Sequence, residues 1–213
     1  MTGLVMLLLL YVGVFIIAEV VHRIGCTATI TRKFVHIGAG IVSCFIPALV
    51  SQHMAIIIGL IFSIFLFWTK RKGILDSIHR IENNDVGAIL FPLGLIPCAL
   101  MFWNDNLIFA SSALILGFSD GCACIFGRLY GKRGYNVTGY KTLEGSLTFF
   151  IVTVLIFLSM IFFSHETMTL TKAFLIILGS LVVAVVEGMI GKGWDNLFIP
   201  ISAALVTRLI LAG

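Results

Sequence analysis

One acidic residue lies inside an apolar segment of this chain that is otherwise uncharged. Asp120 follows Gly117-Phe118-Ser119, and no other charged residue occurs between positions 106 and 127. An ionisable side chain costs about 2.5–3.5 kcal/mol to insert at the middle of a bilayer, and less near its surface, so Asp120 marks a candidate functional site. Its carboxylate could hold a hard cation such as Mg²⁺ that also contacts phosphate oxygens.

The residues after Asp120 are small at regular spacing. If the helix continues, Ala123, Gly127 and Gly131 share one stripe with Asp120. Their small size would let a ligand or a second backbone approach closely.

A glycine-containing loop follows and leads into the next apolar segment. Thr142 is typical of a helix N-cap, and Lys141 directly precedes it. Free backbone N–H groups at a helix N-terminus, beside a lysine, suit a phosphate. The Walker A pattern Gly-x4-Gly-Lys-Ser/Thr is absent, and an interfacial turn with lysines that reach the headgroups is the alternative.

A basic cluster precedes the second apolar segment. Arg32 and Lys33 lie four and three residues before His36, which places the three side chains on neighbouring faces in the first turn of a helix. A cationic anchor at the lipid headgroups is the alternative interpretation.

Acidic residues also flank a glycine-rich stretch near the end of the chain. Glu187 precedes three glycines, and Asp195 and Asn196 follow them. Such a stretch predicts a broken helix, which membrane proteins tolerate only where it faces protein or water. Asp195 and Asn196 could instead only cap the last helix.

The elements that must position these residues are membrane-spanning helices. Of the 213 residues, 60% are hydrophobic and 11% charged, and the mean hydropathy is +1.12, which excludes an ordinary soluble domain. The composition and length predict an all-α polytopic integral membrane helix bundle of about eight transmembrane helices, forming a single transmembrane catalytic domain over residues 1–213. Eight apolar segments can be marked at about 3–21, 34–50, 54–69, 87–103, 106–127, 145–163, 173–187 and 196–211.

The basic residues predict an orientation, because 12 of the 14 fall in alternate gaps between these segments. The positive-inside rule makes those gaps cytoplasmic and places both termini on the non-cytoplasmic side. The protein is expected in the plasma membrane if it is prokaryotic, with a cytoplasmic active face. Topology and lipid headgroups explain the net charge of +4, so no nucleic-acid partner is predicted. The 12 residues are Arg23, Arg32, Lys33, Lys70, Arg71, Lys72, Arg80, Arg128, Lys132, Arg133, Lys141 and Lys192.

The longest of these inward gaps, 70–85, is rich in polar residues. Its composition is compatible with a short amphipathic helix at the interface or with a lid over the site. The polar residues concerned include Asp76, His79, Arg80, Glu82, Asn83, Asn84 and Asp85.

Taken in order, the motifs resemble those of the polyprenol kinase family, which includes dolichol, phytol and farnesol kinases. The resemblance runs from about residue 31 to 200 and is more specific than any single motif. It implies a multispanning enzyme that transfers the terminal phosphoryl group of a nucleoside triphosphate, CTP in many members, to an isoprenoid alcohol at the cytoplasmic interface. The motifs are Arg32-Lys33-x-x-His36, Asp120-x-x-Ala123-x3-Gly127-x3-Gly131-Lys132, Lys141-Thr142-x-Glu144-Gly145-Ser146, Glu187 and Asp195-Asn196.

This resemblance implies a division of roles. Asp120, Asp195 and Glu187 would coordinate Mg²⁺ on the nucleotide phosphates, and an acid or His36 would accept the proton of the alcohol. Asp120, Lys141, His36 and Glu187 are the candidate catalytic residues. The remaining candidates would bind the nucleotide, and they are Arg32, Lys33, Gly127, Gly131, Lys132, Thr142, Glu144, Gly145 and Asn196.

Two other functions are considered. The Asp…Gly…Lys-Thr-x-Glu-Gly portion is also similar to CDP-diacylglycerol synthases, which use CTP differently, but no Asp-x-x-x-Ser-x-x-Lys-Arg signature lies near the C-terminus. A proton- or cation-coupled transporter predicts acids along a transmembrane path, whereas the outward gaps contribute only Asp105 and Glu166. The sequence does not decide between CTP and ATP, and it does not identify the alcohol. The oligomeric state is also open, and a homo-oligomer is one of the possibilities.

Overall fold

A computed structural model of the chain describes residues 2–75, 79 and 85–213. Most of the polar residues of the gap 70–85, for which an interfacial helix or a lid is predicted, lie outside these residues. The described chain is almost entirely helical, which confirms the all-α class. The helices are α1 (Thr2–Arg23), α2 (Ala28–Ser43), α3 (Ile46–Leu49), α4 (Gln52–Lys72), α5 (Gly87–Phe102), α6 (Asn106–Leu114), α7 (Asp120–Tyr130), α8 (Leu143–Ser164), α9 (Leu170–Met189) and α10 (Asp195–Ala212).

Two irregular elements accompany these helices. A π-helical segment, Ile115–Ser119, joins α6 to α7 without a break in the helix. Two short antiparallel strands, β1 (Gly134–Asn136) and β2 (Tyr140–Thr142), form a hairpin between α7 and α8. The loop predicted before Lys141 is therefore a β-hairpin.

Six helical stretches in the described part of the chain are long and apolar enough to cross a membrane: α1, α4, α6 continued through α7, α8, α9 and α10. Helix α5 is apolar but shorter. The second apolar segment is divided between α2 and α3, because Pro47 has no N–H and its ring clashes with the carbonyl of Ser43, where α2 ends. The structure supports a multi-pass membrane protein and leaves the count of eight spans a prediction.

Helix α2 begins earlier than the apolar pattern indicates. It starts at Ala28, directly after Thr27, and not near residue 34. The Thr31 hydroxyl donates a hydrogen bond to the Thr27 carbonyl at 3.3 Å. Arg32, Lys33 and His36 therefore lie beyond the first turn, on a continuous helix.

The continuous helix of α6 and α7 forms the centre of the bundle. In its apolar stretch 67% of the residues are buried, against 11% in α1. Helix α2 crosses it at a pair of glycines: a Cβ atom added to Gly40 would lie 2.7 Å from the Cα of Gly117 and 2.9 Å from the carbonyl oxygen of Ala113. This close approach holds the basic residues of α2 beside Asp120.

We expect Gly40→Ala to destabilise the protein by about 1–3 kcal/mol, because the added methyl group overpacks this crossing. Thermal unfolding in detergent, followed by circular dichroism, measures the effect. Gly13→Ala in α1 is the matched control, since nothing lies within 4 Å of its added Cβ and alanine favours a helix by up to ~1 kcal/mol. A melting temperature for Gly40→Ala equal to that of Gly13→Ala would contradict the role of the crossing.

Candidate active site

Three acidic residues that are distant in sequence meet at one end of the bundle. Asp120 begins α7, Glu187 lies in the last turn of α9, and Asp195 begins α10. One carboxylate oxygen from each lies within 4.8 Å of those of the other two. Asp120 and Glu187 are buried, with 4% and 5% exposure. The structure thus places the three predicted metal ligands together.

Two lysines neutralise part of this charge. The Lys33 ammonium contacts Oδ2 of Asp120. The Lys141 Nζ lies 2.6 Å from Oε1 of Glu187 and 3.2 Å from Oδ2 of Asp195. Three carboxylates and two ammonium groups leave one net negative charge in a site of low solvent exposure, where charges interact strongly. The cluster can therefore accept a further cation.

The carboxylates keep Lys141 charged. Burial by itself lowers the pKa of its ammonium group, but Asp195 and Glu187, with Asp120 further away, outweigh that effect and raise the pKa above its usual value. Lys141 is therefore a permanent cation at neutral pH.

The local geometry of α7 directs Asp120 towards α2. The π-helical segment ends directly before Asp120, and such segments frequently occur at functional sites. A Cβ atom at Gly121 would lie 2.4 Å from the side chain of Ile37, so only glycine allows α2 to come this close. Lys33 and His36 reach the carboxylate for this reason.

His36 is the innermost polar group beside the acids. It is 7% exposed, and its ring lies edge-on to Phe91 with centroids 4.7 Å apart. Its Nε2 atom is 2.9 Å from Oδ2 of Asp120, an ion-pair distance. The imidazole is thus oriented beside Asp120, with Nε2 facing that carboxylate.

The β-hairpin positions Lys141. Lys141 pairs with Tyr135 across the two strands, and the Tyr135 hydroxyl lies 2.6 Å from Oγ of Ser146 in α8. Ser146 in turn lies 3.5 Å from Oε2 of Glu187. The sequence indicates this hairpin through the β-forming residues Tyr135, Val137 and Tyr140, which surround Gly139 and were not used in the prediction.

Thr142 caps α8 as predicted. Its Oγ1 accepts a hydrogen bond from the backbone N–H of Gly145 at 3.1 Å. A Cβ atom at Gly127 would lie 2.7 Å from this oxygen, and one at Gly131 would lie 2.7 Å from Cγ2 of Thr142. Gly127 and Gly131 therefore admit the N-terminus of α8, but the N–H groups of Leu143 and Gly145 already donate to the Arg133 carbonyl and to Thr142, so these two are not free for a phosphate as predicted.

Asp85 is a site residue that the sequence did not single out. It accepts two hydrogen bonds from the Arg32 guanidinium, at 2.6 and 2.7 Å, and one from the N–H of Gly87 at 2.8 Å. Burial raises the pKa of Asp85, but the hydrogen bonds and the charge of Arg32 together lower it by more. The pKa of Asp85 is therefore below its usual value. Asn196 donates to the Gly87 carbonyl at 2.7 Å, so these contacts tie α2, α5 and α10 together.

These groups surround a cavity of about 630 Å³, a size typical of small-molecule sites. Lys132 and Glu144 do not line it: Lys132 is exposed, and Glu144 accepts a hydrogen bond from the N–H of Arg133 at 3.3 Å. His36 lies behind Asp120 and lines a second, apolar cavity. The predicted residues that do line the polar cavity are Arg32, Lys33, Asp120, Gly127, Gly131, Lys141, Thr142, Gly145, Glu187, Asp195 and Asn196.

Comparison with known proteins gives a consistent result. The chain is 30% identical to the phytol kinase of Synechocystis sp. over 204 residues, 92% of this chain and 86% of the relative. It is 26% identical to "Probable phytol kinase 1, chloroplastic" of Glycine max over 148 residues and 30% identical to "CTP-dependent diacylglycerol kinase 1" of Eremothecium gossypii over 143 residues. These matches cover 63% and 59% of this chain, and 49% and 44% of the two relatives.

No protein-family model and no solved structure matches the chain. The similarity to the Synechocystis enzyme nevertheless extends over 92% of this chain. The chain therefore belongs to the polyprenol kinase family and is a phytol kinase-like phosphotransferase.

Proposed function

We propose that the protein transfers the terminal phosphoryl group of CTP to the hydroxyl group of an isoprenoid alcohol. The observation that carries this proposal is the buried cluster of Asp120, Glu187 and Asp195, with Lys33 and Lys141 beside it, at the wall of a cavity that a nucleotide can enter. Two relatives support the substrates by name, since one is a phytol kinase and another a CTP-dependent kinase.

The donor set of the cluster fits Mg²⁺. Asp120, Glu187 and Asp195 offer hard carboxylate oxygens within 4.8 Å of one another. The residual negative charge would repel a triphosphate unless a divalent cation is added. We infer that these three residues hold Mg²⁺, which when bound neutralises charge on the phosphate oxygens.

Protein groups supply the remaining charge stabilisation and the proton acceptor. The ammonium groups of Lys33 and Lys141 stabilise charge on the transferred phosphoryl group. The alcohol oxygen attacks the terminal phosphorus, the bond to the next phosphate breaks, and CDP leaves. The pair of His36 and Asp120, whose Nε2 and Oδ2 atoms lie 2.9 Å apart, accepts the hydroxyl proton.

We also propose that this site faces the cytoplasm. Helix α1 runs towards the site and α10 runs away from it, so Thr2 and Ala212 lie at the opposite end of the bundle. The site end carries most of the basic residues, which is typical of a cytoplasmic surface. A reporter enzyme that works only outside the cytoplasm should be active when it is fused after residue 213. An inactive fusion, together with activity of a reporter that works only in the cytoplasm, would mean that the orientation is the opposite one.

A product assay tests the proposed reaction. Purified protein is incubated with Mg²⁺, CTP labelled on either the terminal or the innermost phosphate, and phytol, farnesol, a long polyprenol or diacylglycerol. We expect lipid labelled only from the terminal phosphate, with release of CDP, and loss of the reaction on chelation of the metal. Transfer of the innermost phosphate with release of pyrophosphate would identify a cytidylyltransferase. In a parallel reaction with ATP labelled on the terminal phosphate, faster labelling than from CTP would exclude CTP as the preferred donor.

A further inference from the structure

The second cavity of the protein is apolar and adjoins the polar one. It lies between α1, α2, α4 and α5, and apart from its ends it is lined by aliphatic and aromatic side chains. Arg32 lines both cavities. His36 lines the apolar cavity and lies 2.9 Å from Asp120, which lines the polar one. The two spaces therefore meet at this pair.

The apolar cavity is long and runs into the membrane region. It extends along α4 from Leu66 to Ala55, and along α2 from His36 to Ser43, with Ile46 of α3 at its far end. At a rise of 1.5 Å per residue the distance along α4 is roughly 16 Å. The cavity thus reaches about halfway through a hydrocarbon core of ~30 Å.

Small residues open this space, and one thin wall separates it from lipid. Ala39, Ala55 and Gly59 lie along the cavity. On the lipid side, α1 reaches α4 through the rings of Tyr11 and Phe15, whose centroids lie 5.7 and 5.6 Å from that of Phe62. The free volume of the cavity is about 90 Å³, so an isoprenoid chain fits only when side chains of this wall move.

The polar group at the head of the cavity indicates the kind of molecule that it holds. His36 is more than nine-tenths buried, and its Nε2 faces Oδ2 of Asp120 at 2.9 Å. A suitable ligand has one hydroxyl group at the end of an unbranched or methyl-branched apolar chain. The chain replaces no hydrogen bond when it enters an apolar cavity, and the hydroxyl lies beside the polar pair of His36 and Asp120.

We propose that this cavity is the binding site for the isoprenoid chain of the substrate, with the hydroxyl group at His36 and the chain directed towards Ile46 and Ala55. The inference rests on the proposed kinase function and adds to it how chain length is recognised. Ala39 lies one turn beyond His36 and controls the entrance from the polar site. Ala55 lies at the far end and limits the length of chain that fits.

Substitutions at the two ends test the proposal with a series of alcohols of increasing length: geraniol, farnesol and geranylgeraniol. Ala39→Phe should lower kcat/KM for every alcohol at least about tenfold, and Ala55→Phe should lower the ratio of geranylgeraniol to geraniol turnover by a similar factor. Ile57→Phe is the matched control on α4, because Ile57 is 54% exposed and does not line the cavity. An unchanged ratio in Ala55→Phe would overturn the proposal.

Photolabelling of the wild-type protein gives a second readout, which requires neither turnover nor a folded variant. A farnesol analogue with a diazirine at the end far from the hydroxyl should label peptides around Leu7, Ile46 and Ala55. Excess farnesol should reduce the labelling by competing with the analogue, and excess phospholipid should leave the labelling unchanged. Labelling that phospholipid displaces, or that falls on residues outside the cavity lining such as Ile57, would overturn the proposal and identify the cavity as a place for bulk lipid.

The two inferences can fail separately. A wild-type protein that phosphorylates no alcohol contradicts the proposed function, and the chain-site proposal with it. An active wild-type protein whose selectivity is the same in Ala55→Phe and Ile57→Phe contradicts the chain site alone.

Discussion

Asp120→Asn is expected to lower kcat for phosphoryl transfer about a thousandfold. The substitution keeps the shape of the side chain and removes the carboxylate charge that Lys33 contacts and that completes the proposed Mg²⁺ site. The matched control is Asp105→Asn at the other end of the same continuous helix. Asp105 caps α6 by accepting a hydrogen bond from the N–H of Ile108 at 3.2 Å, and asparagine caps equally well. Initial rates with saturating CTP and alcohol measure kcat for both variants.

A loss of stability in Asp120→Asn must be separated from a loss of chemistry. Removing one partner of a buried ion pair leaves the other charge uncompensated, at a cost of about 3–5 kcal/mol. The double variant Asp120→Asn, Lys33→Met removes both charges, so its melting temperature should recover towards that of the wild type while turnover stays absent. Turnover that recovers together with stability would show that Asp120 serves only to neutralise Lys33.

The sequence predicts the chemical content of the site better than its architecture. Asp120 could be recognised because an isolated acid in an apolar segment is costly, and Thr142 because its position before an apolar run is typical of a cap. Both are local patterns. The structure confirms the cap and brings Asp120, Glu187 and Asp195 together.

Features that depend on contacts between distant segments were not predictable in this way. The ion pair of Arg32 and Asp85 joins residues that no local pattern connects. The π-helical segment before Asp120 and the crossing of Gly40 over Gly117 arise from packing between helices. The apolar cavity was also hidden, because residues that face lipid and residues that line an apolar space have the same composition in a membrane protein.

Lys141→Met is expected to lower kcat/KM for the nucleotide about a hundredfold or more. In the wild type, Lys141 lies against Glu187 and Asp195, and its loss changes the net charge of the cluster and its two lysines from minus one to minus two. The triphosphate then meets stronger repulsion, so KM for CTP should rise as well as kcat fall. Lys141→Arg should recover part of the activity, because it keeps the charge but replaces a compact ammonium with a wide planar group.

The control for this variant is Lys72→Met, since Lys72 is an exposed basic residue at the C-terminal end of α4. Because the pKa of Lys141 is raised, the lysine stays protonated over the usual assay range, and the defect of Lys141→Met relative to the wild type should be equal at about pH 7 and about pH 9. A defect that disappears at the higher pH would mean that Lys141 loses its proton there, so that its pKa is not raised, and a defect that grows would mean that Lys141 acts as a base. Equal losses in Lys72→Met and Lys141→Met would mean that nucleotide binding depends on the basic surface as a whole and not on an ammonium group held between two buried carboxylates.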